Sequence, residues 1–218
     1  MDIKGVVFDM DGVLVDNMPI HIEAFAVFCE RYGGHDNWEE VINSSVGMGN
    51  DEILQKMMPQ DVIAKYGTAE LGRIKEAIYR EIYAGRIQPV AGLVELLEEF
   101  KSRGIKCAVG SSGCKENVEF VLRECGIGDY FDALIYSDLV TRCKPDPEIY
   151  QLAIQKLGLE ASEVLIFEDA TSGIKAAKAA GAGKIIALST TLTPEVLATE
   201  GGIDRIVADF SEVAGGRY

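Results

Sequence analysis

The chain has 218 residues, of which 48% are hydrophobic and 26% charged, and its formal net charge is −14 from 21 basic and 35 acidic side chains. This length suffices for one large domain or two small ones with a packed core. The acidic balance argues against nucleic acid or an anionic membrane as a partner, because both would repel the protein. No apolar run reaches the length of a membrane span.

The first predicted strand, near residues 4–8, ends in Asp9 and Asp11, and Gly12 follows. Because side chains alternate along a strand, both carboxylates leave its end on the same side. Two carboxylates so close repel each other unless one is protonated or a cation lies between them. Mg²⁺ prefers oxygen ligands and commonly shares them between carboxylates and phosphate. The pattern predicts a metal-assisted phosphate site, although a simple turn also accounts for it.

Residues 17–88 show helical patterns only, over about 19–32, 37–46, 50–58 and 68–84. They interrupt a chain that elsewhere alternates strands and helices, so we predict an inserted helical domain. Residues 1–16 and 89–218 would then form one core domain. The two linkers permit a hinge closure of the inserted domain over the core, which would exclude water from a reaction.

The core residues alternate between the two element types. Strands are predicted near 4–8, 105–110, 133–137, 164–168, 184–188 and 205–208, and helices near 91–103, 115–125, 146–157, 172–181 and 194–200. This alternation predicts an α/β fold with a doubly wound, mostly parallel, Rossmann-like sheet covered on both faces. Ligands of such sheets bind beyond the carboxyl ends of the strands.

Two serines follow the strand near 105–110, in the sequence Gly-Ser111-Ser112-Gly, and a helix is predicted from about Lys115. Small residues let backbone N–H groups approach a phosphate, and the N-terminus of a helix favours an anion. The loop therefore predicts a phosphate contact. Serine is also a good helix N-cap, which is the alternative interpretation.

Lys144 and the pair Glu168–Asp169 complete the set of polar groups near strand ends. Lys144 precedes a proline-rich entry into a helix and could supply a point charge for phosphate, or it could be a solvated surface residue. Glu168 and Asp169 follow a strongly apolar strand, where two acids are costly unless paired, solvated or metal-bound. The alternative is helix capping by Asp169 and Ser172.

These four motifs, in this order, resemble those of the haloacid dehalogenase superfamily, and the match covers nearly the whole chain. The inserted helices are similar to the α-helical cap of the branch that includes β-phosphoglucomutase and many small-metabolite phosphatases. The resemblance implies a Mg²⁺-dependent phosphohydrolase that acts on a small phosphorylated metabolite, with a sugar phosphate as the expected class, through an aspartyl-phosphate intermediate.

The resemblance also implies roles for the four acidic residues. Asp9 would be the nucleophile that attacks phosphorus. Asp11 would be the general acid that protonates the leaving oxygen and then the base that activates water. Mg²⁺ would be held by the carboxylates of Asp9 and Asp169 and by the backbone carbonyl of Asp11, with help from Glu168.

The same resemblance assigns the phosphoryl oxygens to Ser111, the backbone amide of Ser112 and Lys144, which would neutralise their charge. The organic portion of the substrate is expected to contact Asn17, Met18, His21 and Met48, because these residues flank a linker and the glycine loop of the inserted domain, Gly47-Met-Gly49. The identity of that portion is not predicted by the sequence.

A phosphomutase of the β-phosphoglucomutase type is the main alternative. Such an enzyme shields the aspartyl-phosphate from water and normally holds a second phosphate with a cap arginine, where this chain has Gly49 and Asn50. Arg73, Lys75 or Arg80 could substitute for that arginine, so the alternative stays open, but hydrolysis is favoured.

Three further alternatives receive less support. A 2-haloacid dehalogenase needs neither Mg²⁺ nor an acid at the second position, whereas this chain has both Asp11 and the later acidic pair. Cleavage of a phosphonate would need a Schiff-base lysine from the inserted domain. A non-catalytic binding protein on the same scaffold would be expected to lack at least one motif, and none is missing.

The five cysteines are odd in number and lack the paired spacing of a zinc site. A reduced cytoplasmic protein is the simplest expectation. The first residues pass directly into a predicted strand, which gives no indication of a signal peptide. The sequence does not predict the oligomeric state.

Overall fold

The computed structural model describes residues 3–43 and 50–218. Contacts between Cα atoms divide the chain into two compact units: a core unit of Met1–Asp16 with Ile87–Tyr218, and a helical unit of Asn17–Arg86. Within the described ranges, no helix combines the length and hydrophobicity that crossing a bilayer requires. All five cysteines are free thiols.

The strands and the α-helices of the described residues are each numbered in chain order. The strands are β1 (Gly5–Phe8), β2 (Lys106–Gly110), β3 (Ala133–Ile135), β4 (Val164–Glu168), β5 (Lys184–Leu188) and β6 (Arg205–Val207). The α-helices are α1 (Met18–Tyr32), α2 (Trp38–Asn43), α3 (Asn50–Met57), α4 (Gln60–Tyr66), α5 (Thr68–Tyr83), α6 (Leu93–Ser102), α7 (Lys115–Cys125), α8 (Glu148–Leu157), α9 (Thr171–Ala179) and α10 (Pro194–Ala198).

The strands form one sheet in the order β3-β2-β1-β4-β5-β6, and every pairing is parallel. The predicted doubly wound α/β fold is confirmed. On one side of β1 the sheet continues with β2 and then β3. On the other side it continues with β4, β5 and β6, so the direction in which strands are added reverses between β3 and β4. Such a reversal leaves a crevice at the carboxyl ends of the two central strands, where ligands of these sheets bind.

Aromatic packing fixes the two central strands. Phe8 at the end of β1 stacks on Phe167 of β4 with ring centroids 5.1 Å apart, and both rings contact Phe210. All three side chains are fully buried. Because strands buried on both faces need apolar residues at every position, β1 and β4 appear in the sequence as continuous apolar runs.

The helical unit contains α1 to α5, with the closest packing between α1 and α5. Helix α4 was not predicted, because it has no buried residue and so carries no apolar stripe. The predicted helix over 37–46 corresponds to α2, and its last three residues lie outside the described ranges. The same holds for Met48 and the surrounding glycine loop.

Candidate active site

Three carboxylates converge at the carboxyl ends of β1 and β4. Asp9 directly follows β1, Glu168 is the last residue of β4, and Asp169 comes next. Because Phe8 pairs with Phe167 in the sheet, the residues that follow are brought side by side. One oxygen of each carboxylate lies within 4.8 Å of the others, and all three side chains are buried.

Two glycines make room for this cluster. Gly12 has φ of +74°, and a Cβ atom there would overlap the carboxylate of Asp169. A Cβ atom at Gly173, in the first turn of α9, would overlap the carboxylate of Glu168. The acids can therefore approach the backbone only because both positions lack a side chain.

Lys144 is buried between two of the acids, which excludes the surface interpretation. Its Nζ atom lies 3.0 Å from Oδ1 of Asp9 and 2.7 Å from Oε1 of Glu168. Burial opposes the charged form of Lys144, but the carboxylates of Asp9 and Glu168 outweigh it and raise the pKa above its usual value. The side chain is therefore a fixed positive charge next to Asp9.

The site carries more negative charge than its lysine offsets. Burial raises the pKa of Asp9 to about 7, although Lys144 acts in the opposite direction, and the carboxylates of Glu168 and Asp11 add to the rise. Burial and the same kind of repulsion, from Glu168 and Asp9, hold the pKa of Asp169 well above its usual range. A group of oxygen donors with uncompensated charge suits a hard divalent cation.

The serine loop follows β2 at the same edge of the sheet. Ser111 is fully buried, its backbone N–H donates to the carbonyl of Ile135 at 2.9 Å, and its Oγ accepts from the N–H of Gly113 at 2.9 Å. Ser112 is exposed. A Cβ atom at Gly113 would lie 3.1 Å from the Ser111 hydroxyl and 3.8 Å from a carboxylate oxygen of Asp11, so the first two motifs meet here.

The helix-capping interpretations are not supported. Cys114 occupies the N-cap position of α7, and Ala170 occupies that of α9. Neither Ser111 nor Asp169 is therefore a cap. Because helix capping does not account for their positions, these residues are available for the chemistry of the site.

The helical unit holds a polar cluster that includes two predicted substrate contacts. Asn17 is fully buried and its Nδ2 donates to the hydroxyl of Tyr79 at 2.6 Å. The half-buried ring of His21 stacks on Tyr79 with a centroid distance of 4.2 Å, and its Nδ1 lies 3.1 Å from Nζ of Lys75. Lys75 also forms a buried ion pair with Glu76 at 2.8 Å.

Tyr150 was missed by the sequence analysis. It lies on α8, is fully buried, and its hydroxyl donates to Oε1 of Glu168, while Lys144 Nζ lies 4.6 Å from the centroid of its ring. In the sequence it belongs to the apolar stripe of a helix and is indistinguishable from a core residue. The sequence could have pointed to Tyr150 only through a general rule, that a buried tyrosine needs a hydrogen-bond partner for its hydroxyl.

A family model described as haloacid dehalogenase-like hydrolase matches residues 3–181. The chain belongs to this family of hydrolases. The predicted resemblance, including the cap-containing branch, is thus confirmed, and the chain is an enzyme.

Relatives and solved structures agree with this assignment. A phosphorylated carbohydrates phosphatase from Thermotoga maritima is 32% identical over 207 residues and covers 94% of each chain. The crystal structure of CbbY from Rhodobacter sphaeroides in complex with phosphate has a TM-score of 0.83, is 27% identical, and covers 97% of this chain and 96% of its own. A β-phosphoglucomutase from Clostridium difficile, at 23% identity, shares the fold with a TM-score of 0.79 and covers 98% and 94%.

Proposed function

We propose that this family member is a Mg²⁺-dependent phosphohydrolase that releases phosphate from a small phosphorylated carbohydrate through an aspartyl-phosphate intermediate. The observation that carries the proposal is the position of Asp9, buried at the end of β1 between the ammonium group of Lys144 and two further carboxylates. The similarity to a phosphatase of phosphorylated carbohydrates over almost the whole chain supports the substrate class.

The carboxylates of Asp9 and Asp169 and the backbone carbonyl of Asp11 are the proposed Mg²⁺ ligands. Bound there, the ion would offset the charge of the acids and of an incoming phosphate. Glu168 belongs to the same cluster, but both of its carboxylate oxygens already accept hydrogen bonds from protein donors. We therefore place it in a supporting role beside the ligands.

In the proposed first step, a carboxylate oxygen of Asp9 attacks phosphorus and the bond from phosphorus to the ester oxygen breaks. The carboxyl group of Asp11 gives its proton to the departing oxygen, so that an alcohol leaves. In the second step, the Asp11 carboxylate takes a proton from water, the water oxygen bonds to phosphorus, and the bond between Asp9 and phosphorus breaks to release phosphate.

Lys144, Ser111 and the backbone amide of Ser112 are proposed to hold the phosphoryl oxygens. The Ser111 hydroxyl accepts from the N–H of Gly113, which leaves its own proton free to be donated to an oxygen of the substrate. Because Lys144 is buried, its charge acts at low screening and stabilises the negative charge that is redistributed as the phosphoryl group moves.

The helical unit is proposed to select the organic portion of the substrate through Asn17, His21 and Met48. A phosphomutase remains the second candidate. Two of the cations considered for a second phosphate have partners inside the helical unit: Arg73 pairs with Glu70 at 2.6 Å, and Lys75 is committed to its buried ion pair. The buried pairing of Lys75 favours hydrolysis, because that ammonium group is already engaged inside the helical unit. The pair of Arg73 is exposed and therefore weak, so it does not discriminate between the two functions.

The test is a turnover screen over phosphorylated carbohydrates with and without MgCl₂. We expect Mg²⁺-dependent release of inorganic phosphate from a narrow set of esters, and no release by Asp9→Asn, which should keep the thermal unfolding temperature of the wild type. The screen includes β-glucose 1-phosphate with a trace of bisphosphate primer. Formation of glucose 6-phosphate without free phosphate would make the chain a mutase and contradict the proposal.

The covalent intermediate is tested separately. Borohydride reduces an acyl phosphate to an alcohol, so protein quenched during turnover should carry homoserine in place of Asp9, located by mass spectrometry. With acetyl phosphate, whose leaving group needs no general acid, Asp11→Asn should accumulate more of this adduct, because the intermediate still forms while the base that activates water is lost. Active wild-type enzyme with no adduct at Asp9 in either protein would rule out the covalent route.

A further inference from the structure

Tyr150 connects the lysine and an acid of the proposed site. It lies in the first turn of α8, six residues after Lys144, and none of its surface is exposed. The ammonium group of Lys144 lies over its ring, with 4.6 Å between Nζ and the ring centroid. Its hydroxyl donates to Oε1 of Glu168, the same oxygen that accepts from Lys144.

The carboxylate of Glu168 is fully engaged by protein donors. Oε1 accepts from Lys144 Nζ at 2.7 Å and from the Tyr150 hydroxyl, and Oε2 accepts from the backbone N–H groups of Asp169 at 2.9 Å and Ala170 at 3.1 Å. A carboxylate has about four acceptor positions in total. Two donors on each oxygen therefore fix the orientation of the carboxylate.

This fixed carboxylate determines where the lysine charge lies. With one hydrogen bond to Glu168, Lys144 Nζ comes to 3.0 Å from Oδ1 of Asp9. An ammonium group has three donors, which suffice for these two carboxylates and one phosphoryl oxygen. A small rotation of Glu168 would move the ammonium group away from the proposed nucleophile.

We propose that Tyr150 is a positioning residue for phosphoryl transfer, whose hydroxyl locks Glu168 and whose ring supports Lys144, so that the lysine charge is held at Asp9. The inference rests on the proposed function and adds a residue to it. The ring contributes an attraction for the cation, while the hydroxyl supplies the directional restraint.

The competing explanation is that Tyr150 only fills the core. Its ring does pack among buried apolar side chains, including those of Val7, Ala108 and Ile149. Tyr150→Phe separates the two explanations, because it keeps the ring and its packing and removes only the hydroxyl. Tyr83→Phe is the matched control: it removes the hydroxyl of another buried tyrosine, in the helical unit.

The experiment measures kcat, KM and inhibition by orthovanadate and by inorganic phosphate, on an ester that the wild type hydrolyses. Vanadate takes a five-coordinate geometry like that of the transferring phosphoryl group, so its affinity should follow transition-state stabilisation. For Tyr150→Phe we expect kcat to fall about 10-fold and the vanadate inhibition constant to rise by a similar factor. KM and phosphate inhibition should change about 2-fold at most, with an unchanged unfolding temperature.

Tyr150→Leu, which also removes the ring, should lose more activity than Tyr150→Phe, because the attraction of the ring for the Lys144 ammonium group is lost as well. Wild-type kcat and vanadate inhibition in Tyr150→Phe, or an equal loss in Tyr83→Phe, would show that the hydroxyl has no positioning role. Either result with an active wild type leaves the proposed function standing. A wild type that releases no phosphate would overturn the proposed function and, with it, this role for Tyr150.

Discussion

At the scale of single residues, Gly173 shows how closely the site is packed. Replacing glycine by alanine within a helix normally stabilises a protein by about 1 kcal/mol, but here the added Cβ would overlap the Glu168 carboxylate. We expect Gly173→Ala to destabilise the protein by about 2 kcal/mol instead. Because Glu168 anchors Lys144, kcat should also fall about 100-fold.

Urea unfolding and steady-state kinetics check both expectations for Gly173→Ala. The control is Gly128→Ala, since a Cβ atom at Gly128 would have no other atom within 4 Å and its φ is not in the left-handed region. That variant should match the wild type in stability and in kcat. Normal turnover by Gly173→Ala would show that the position of Glu168 matters less than we infer.

At the scale of elements, Glu148 ties the loop before Lys144 to the start of α8. Its carboxylate accepts from the backbone N–H groups of Thr141 and Arg142, each at 3.0 Å, and from the Thr141 hydroxyl at 2.8 Å. The Thr141 N–H and hydroxyl are the main causes that hold the pKa of Glu148 below its ordinary value of 4.5. The ionised carboxylate therefore stabilises the folded state.

Because the pKa is lower in the folded state, this stabilisation is present above about pH 4.5 and is lost as the pH falls through the folded-state pKa. We expect Glu148→Gln to lower the unfolding temperature at pH 7, with the difference from the wild type disappearing toward pH 3. Thermal unfolding across that range is the measurement. The control is Glu98→Gln, at an exposed position on α6, which should keep the unfolding temperature of the wild type at pH 7. A constant difference between Glu148→Gln and the wild type across the pH range would exclude the ionised contact.

At the scale of the whole molecule, we assign the chemistry to the core unit and the choice of substrate to the helical unit. His21→Ala should then raise KM for a phosphorylated carbohydrate about 10-fold and leave the hydrolysis of acetyl phosphate, which has almost no organic portion, close to that of the wild type. Parallel kinetics on both substrates check this. Glu30→Ala, an exposed position on α1, is the control, and equal losses on both substrates would place His21 in the chemistry instead of selectivity.

The sequence by itself determined the element order, the α/β class and the strand ends at which the proposed site lies. Apolar runs mark strands buried on both faces, and an acid after such a run stands out because burial of an unpaired charge is costly. Helix α4 was not predicted, because it buries no residue and its sequence therefore shows no apolar face.

Only the tertiary structure decided which groups share one site and how they contact each other. Lys144 and Glu168 are 24 residues apart, and Tyr150 lies on a helix between them, so their contacts arise from the packing of α8 against the sheet and from no local pattern. In the sequence, a buried tyrosine whose hydroxyl contacts a site residue looks the same as a tyrosine that only packs in the core. Its partner is fixed by the fold, because hydrogen-bond geometry depends on atoms that only the folded chain brings together.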